Sequence, residues 1–234
     1  MSKPRMAIAI DGPAASGKSS TAKAIARALG FRHVDSGALY RAATASRVRL
    51  GGAPSGWTEE SVLAAAAAVS LAATENGFAA FIDGTDADAE MRDEAVTRNV
   101  SLVARMPSVR AWVNAQVRSA GMDHDVVVDG RDIGTVVFPD AALKVFLVAD
   151  PAERATRRLR ERLHREPDAG EVAAETVKIV ARDEMDSAQS AMAEGAVVID
   201  TTRLRQSEQI ERIVLLARAA CEQRSHSPLE ADRH

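Results

Sequence analysis

Apolar and polar positions along this chain alternate between two rhythms. Met6–Asp11 is a short apolar run closing on Asp-Gly, the pattern of a strand buried on both faces. From Lys18 to Leu29 the apolar residues fall at helical spacing (Ala22, Ile25, Ala26, Leu29), and Gly30 supplies a stop. A short strand over Arg32–Asp35 and a helix running to about Leu50 come next. Two further continuous apolar runs, Asp125–Asp129 and Leu143–Ala149, read as buried strands. After them come helices over Pro151 to about Arg165 and about Glu171–Met185, a strand over Ala196–Asp200 and a helix over Ser207–Cys221. Strand and helix in alternation predict an α/β three-layer fold on a parallel central sheet.

The middle of the chain breaks this rhythm. Val69–Thr74 and Phe78–Ile82 flank Glu75-Asn76-Gly77, and Asn-Gly between apolar runs signals a hairpin. An antiparallel insert over roughly Gly51–Arg92 is therefore expected, then two helices divided at Pro107. The run Ala64–Ala68 fits a tightly packed helix, alanine being the best helix former. Residues 223–234 are polar and aperiodic and are expected to form a flexible tail. With 234 residues there is room for one substantial core and not for two ordinary enzyme domains.

Composition narrows the classes. Apolar residues are 46% and charged residues 27%, the balance of a globular protein. The net charge of −3 argues against nucleic acid as a partner, since a binding domain would carry a basic excess. Cys221 stands alone, so no internal disulfide forms, which fits a reducing compartment. The histidines at 33, 124, 164, 226 and 234 lack metal-ligand spacing, and no structural zinc is expected. Met1–Arg5 lead into the first strand without a signal-like apolar region, and no run of ~18 uncharged apolar residues occurs. A cytoplasmic protein without a membrane partner is the expectation.

Three segments carry chemistry. Gly12-Pro13-Ala14-Ala15-Ser16-Gly17-Lys18-Ser19 fits G-x-x-x-x-G-K-[ST] between a predicted strand and a predicted helix. Its backbone N–H groups and the helix N-terminus suit a triphosphate, Lys18 reaches the β- and γ-phosphates, and the Ser19 hydroxyl suits Mg²⁺. Asp35-Ser36-Gly37-Ala38-Leu39-Tyr40-Arg41 follows the second strand, at the sheet edge where α/β proteins bind ligands. Arg41 there reads either as a phosphate fork or as a solvated helix residue. The third segment, Asp129 to Pro139, delivers Asp129, Arg131 and Asp132 to the same edge. Such clustering points to a ligand, or to an internal Arg131–Asp132 pair.

Taken together these segments resemble the bacterial cytidylate kinases, of the nucleoside monophosphate kinase group of P-loop kinases. The family's D-G-P-x-x-x-G-K, D-S-G-x-x-Y-R, D-G-R-D-x-G-T-V-V-F-P-D and R-D-x-x-D-S are matched at Asp11–Lys18, Asp35–Arg41, Asp129–Asp140 and Arg182–Ser187. The resemblance implies a three-layer P-loop kinase with a small antiparallel insert and a helical lid, phosphorylating CMP and dCMP from ATP with Mg²⁺ as a monomer. One kinase domain over 1–222 is implied, with core 1–40, 111–153 and 171–222, a monophosphate-binding insert 41–110 and a lid 154–170.

By the same resemblance, Ser101, Arg110 and Asp132 would hold the cytosine, and Arg41, Arg131 and Arg182 the monophosphate. Asp186 with Arg182 would meet the ribose, while Ser36 and Tyr40 line the pocket. ATP would lie on Gly12 to Ser19 and Ser20, with Arg157 and Arg158 closing from the lid and Thr201 beside the adenine. Catalysis would fall to Lys18, Arg131, Arg157 and Arg158. One departure stands out: Gln189 occupies a place where the family carries arginine, and the segment before Ile199-Asp200 is shortened. Rival readings are a kinase for UMP, AMP or a small metabolite, and a nucleotide-binding module without catalysis.

Overall fold

A computed structural model of the chain describes residues 5–226. Its strands are β1 (Ala7–Asp11), β2 (Arg32–Asp35), β3 (Val69–Thr74), β4 (Gly77–Ile82), β5 (Thr85–Asp86), β6 (Val126–Gly130), β7 (Leu143–Val148) and β8 (Val197–Asp200). The helices are α1 (Lys18–Leu29), α2 (Ser36–Arg49), α3 (Glu59–Ala66), α4 (Asp88–Met91), α5 (Glu94–Ala104), α6 (Pro107–Asp123), α7 (Pro151–Leu163), α8 (Ala169–Asp186) and α9 (Gln206–His226). One sheet takes the order β3-β4-β2-β6-β1-β7-β8, with β5 added to β4. From β4 to β8 every pairing is parallel, as the unbroken apolar runs require.

Side chains alternate across this sheet and make two cores. Ile8, Ile10, Val127, Val145 and Leu147 face α1 and α9, where Ile25, Ala22, Ile213 and Ala217 cover them. Ala9, Val34, Val126 and Val128 point the other way, toward Leu39 of α2, Val62 of α3, Val100 of α5 and Val113 of α6. Two-sided burial fixes the register, because a slip of one residue would exchange the faces.

The expected hairpin forms, but its turn differs from the Asn-Gly type. Thr74 pairs with Gly77, so Glu75 and Asn76 make the turn and Gly77 is the first strand residue. Gly77 has φ +154°, and a Cβ there would stand 2.5 Å from the His33 carbonyl oxygen. The glycine therefore serves the close approach of β4 to β2, joined at the single pair His33↔Gly77. The insert is thereby an extension of the central sheet. Helix α9 also outruns its expected end at Cys221, taking in residues 223–226; the rest of the expected tail, 227–234, lies outside the described residues. Among the described residues no helix is long and apolar enough to cross a membrane.

Candidate active site

A cleft of about 790 Å³ opens at the carboxyl ends of β1, β2 and β6, between α2, α5 and α6 on one side and α7, α8 and α9 on the other. That volume lies within the range of pockets for sizeable ligands.

The loop from β1 to α1 forms one wall. Gly12 has no room for a Cβ, which would collide with the Leu147 carbonyl of β7. Ala15 at φ 58° and Gly17 at φ 87° are left-handed. Such alternation turns successive N–H groups to one side, and strain of this kind at Ala15 concentrates where ligands bind. Helix α1 has no side-chain cap and no acidic residue in its first turn. Its positive end is left for an anion. Lys18 is buried, and its Nζ donates to the Pro13 carbonyl at 2.6 Å. Burial, reinforced by the nearby Arg131 charge, pushes its pKa down to about 7. Ser20 Oγ donates to the Gly17 carbonyl at 3.1 Å. Gly12, Pro13 and Ser16 shape the loop without lining the cleft; Ala14, Ala15, Gly17, Lys18, Ser19 and Ser20 line it. Ser16 Oγ is buried and finds no partner among the described residues.

Ser19 gives a definite partner to Asp129, which the sequence places only in the charged cluster at the sheet edge. Its hydroxyl donates to Asp129 Oδ2 at 2.5 Å. The other oxygen of Asp129 meets His33 Nε2 at 2.7 Å, and Ser36 Oγ donates to the Asp129 carbonyl at 2.9 Å. Asp35 sits directly opposite Asp129 in the β2–β6 register. Burial, then the Asp129 charge, raises the Asp35 pKa. The signal in the sequence was an acid closing the strand that neighbours the P-loop strand.

Guanidinium groups converge beyond the loop. Arg131 Nη1 donates to the Gly12 carbonyl at 2.7 Å, and its Nη2 lies 3.2 Å from Asp186 Oδ2. Arg182 Nε is 3.7 Å from the same oxygen. Burial, followed by the charges of Arg131 and Arg41, brings Arg182 down to about 10. Arg41 donates to the Met91 carbonyl at 3.3 Å and to Thr97 Oγ1 at 3.4 Å, and burial lowers its pKa as well. Crowded cations of this kind are stabilised by a polyanion.

At the far end Ser101 of α5, Arg110 of α6 and Asp132 after β6 meet beside Tyr40. Arg110 Nη2 pairs with Asp132 Oδ2, and Nη1 donates to the Ala104 carbonyl at 3.0 Å. The alternative of an Arg131–Asp132 pair is thus replaced by two others, Arg131–Asp186 and Arg110–Asp132. Burial pushes the Tyr40 hydroxyl up to about 12, and that oxygen finds no partner among the described residues. Asp11 ties this end to the P-loop: its carboxylate accepts the Ile133 and Gly134 amides at 2.9 and 2.8 Å.

Arg157 donates to the Thr201 carbonyl at 2.6 Å and to Thr201 Oγ1 at 3.2 Å. Thr201 itself is fully buried and does not line the cleft. It holds Arg157. Leu204, Gln206 and Gln209 line this part of the cleft instead, and Arg92, Glu161 and Gln189 line it as well. Apart from Gln189 these escaped the sequence reading, having no motif around them.

A family model described as cytidylate kinase matches residues 8–219. A cytidylate kinase of Oceanobacillus iheyensis is 40% identical over 216 residues, 90% of this chain and 93% of that protein. One from Thermus thermophilus is 45% identical over 197 residues, 83% and 89% of the two chains. The crystal structure of a gluconokinase from Sinorhizobium meliloti superposes with a TM-score of 0.52 at 16% identity, covering 97% of this chain and 99% of its own, a likeness of fold.

Proposed function

Because this chain belongs to the cytidylate kinase family, we propose that it transfers the γ-phosphoryl group of ATP to CMP and dCMP. One observation carries the reading. A single cleft joins the phosphate loop, a guanidinium cluster and a hydroxyl–guanidinium–carboxylate trio whose hydroxyl and carboxylate are buried, in that order. Two polyanions fit end to end only where cations separate their anchoring sites.

The donor phosphates lie on the loop amides and on Lys18. An oxygen-only set, Ser19 Oγ with the Asp129 carboxylate beside it, suits Mg²⁺, which prefers such donors. When bound, the ion neutralises charge on the donor phosphates. Arg41, Arg131 and Arg182 receive the acceptor phosphate, while Asp186 with Arg182 faces the ribose. Asp132 accepts from the exocyclic amine of cytosine, and Arg110 and Ser101 donate to its ring nitrogen and carbonyl. Uracil would turn a carbonyl toward Asp132, acceptor against acceptor. The acceptor phosphate is already anionic and needs no strong base. Catalysis is positioning and charge stabilisation by Lys18, Arg131, Arg157 and Arg158. Residues 41–110 serve as the acceptor-binding insert and 154–170 as a lid that excludes water, in a chain acting as a monomer.

A coupled assay of ADP release with CMP, dCMP, UMP and AMP tests the proposal. CMP and dCMP should exceed UMP in kcat/KM by about 10- to 100-fold. Preference for AMP or UMP overturns the cytosine assignment. ATP binding without transfer to any acceptor overturns the activity.

A further inference from the structure

Helices α7 and α8 run antiparallel, and ionic contacts join them at regular steps. Arg154 pairs with Asp183 at 2.7 Å. Arg158 and Arg162, one and two turns further along α7, both face Glu175 of α8, at 3.5 and 3.7 Å. Lys178 approaches the same carboxylate from its own helix at 3.8 Å. Glu175 is only 4% exposed. A carboxylate so buried is tolerated where cations surround it, and three do.

The three cations are not equivalent. The side chains of Arg162 and Lys178 are 56% and 70% exposed, so solvent screens them. Arg158 is less exposed and is the one of the three that lines the cleft. Its charge acts there on both Arg41 and Arg182. Before any phosphate arrives these like charges repel, and a long flexible side chain relieves repulsion by swinging toward water. Something must hold Arg158 inward. Asp186 cannot serve in the same way, because it lines the cleft itself and meets an incoming ligand. Glu175 is absent from the cleft wall, so no phosphate oxygen competes for its place.

We propose that Glu175 is a positioning residue for phosphoryl transfer, holding the Arg158 guanidinium at the acceptor side of the cleft from outside it. The inference rests on the reading that this cleft carries out the transfer. At 3.5 Å the contact is longer than a good charge-assisted hydrogen bond, so it fixes Arg158 by charge rather than by a tight donor geometry. Arg158 then faces the transferring group already oriented, and its reorganisation is removed from the barrier.

The test is a double-mutant cycle with melting curves measured alongside. Wild type, Glu175→Gln, Arg158→Ala and the double variant are compared for kcat and for KM of CMP and ATP. Glu175→Gln should lower kcat about tenfold or more while each KM changes less than about threefold. Arg158→Ala should lower kcat at least as far, and the double variant no further. In an Arg162→Ala background, Glu175→Gln should keep its whole effect. Should the glutamine variant fail to fold, Glu175→Leu places an apolar side chain in the same buried position, with the same expectations. A folded Glu175 variant with wild-type kcat overturns the inference, and so do losses that multiply in the double variant. Wild-type protein that phosphorylates no monophosphate overturns the functional reading and this inference with it, a result visible before any variant is made.

Discussion

Lys18 stands at its position as an expensive group. Its pKa falls from an ordinary 10.5 to about 7, chiefly through burial. The unfolded chain therefore binds more protons than the folded one between those values. The penalty on folding is present in full below about pH 7 and is relieved as pH rises toward 10.5. Lys18→Met should then abolish transfer yet raise the melting temperature of the ligand-free protein at pH 7 by at least about 3 °C. A phosphate in the loop reverses the shift, so nucleotide binding at pH 8 should take up about one proton. Calorimetry in buffers of different ionisation enthalpy measures that uptake, and Lys18→Arg should remove it. At the other end of the cleft, if Asp132 selects cytosine as proposed, Asp132→Asn would offer uracil an amide donor in place of a carboxylate. The ratio of kcat/KM for CMP over UMP should fall about tenfold or more. The sequence disclosed these side chains because each sits in a motif, but it withheld their partners. Nothing in Asp129-Gly130-Arg131-Asp132 says that Arg131 will bridge Gly12 to Asp186 while Asp132 turns to Arg110. Those contacts bring together residues far apart in sequence.

Elements were legible where one rhythm ran long enough. The β-branched run of β6 and the helical spacing of α1 needed no tertiary knowledge. The two-residue β5 and four-residue α4 had too few positions to establish a period. Gly77 is the instructive case. The Asn76-Gly77 pattern predicts half of a turn, whereas the sheet uses Gly77 to let β4 approach the His33 backbone of β2 closely. Gly77→Ala should cost about 2 kcal/mol or more, because the new methyl meets backbone that cannot rotate away and the residue keeps a positive φ. A lowered urea midpoint at unchanged slope would record it. Gly84, also at positive φ but with open space around its Cβ position, should lose less when changed to alanine.

At the scale of the molecule, the phosphate loop and the Ser101–Arg110–Asp132 trio line one cleft from different layers of one body. Arg154 is buried, bonding the Ala14 carbonyl of the loop at 2.9 Å while pairing with Asp183 of α8. The base of α7 is in this way fastened to the phosphate loop. A compound joining adenosine to cytidine through five phosphates should span the cleft and engage both ends. At a hundredfold excess over Kd it should raise the melting temperature by about 5–10 °C, and amide exchange should slow in α5 and α7 together. Protection of only one of these helices would mean that the two sites do not close as a unit. The four residues from Asp129 to Asp132 lie where these layers meet, and three of them hold different partners: the Ser19 hydroxyl, the Gly12 carbonyl of the phosphate loop and Arg110. Deleting one residue there would hand each task to the wrong side chain at once. The same loss near residues 51–53, between α2 and the hairpin, would disturb only a connection. One-residue deletions should therefore leave the protein folded at residues 51–53 and unfold or inactivate it at 129–132, a contrast that melting curves of the two variants would record.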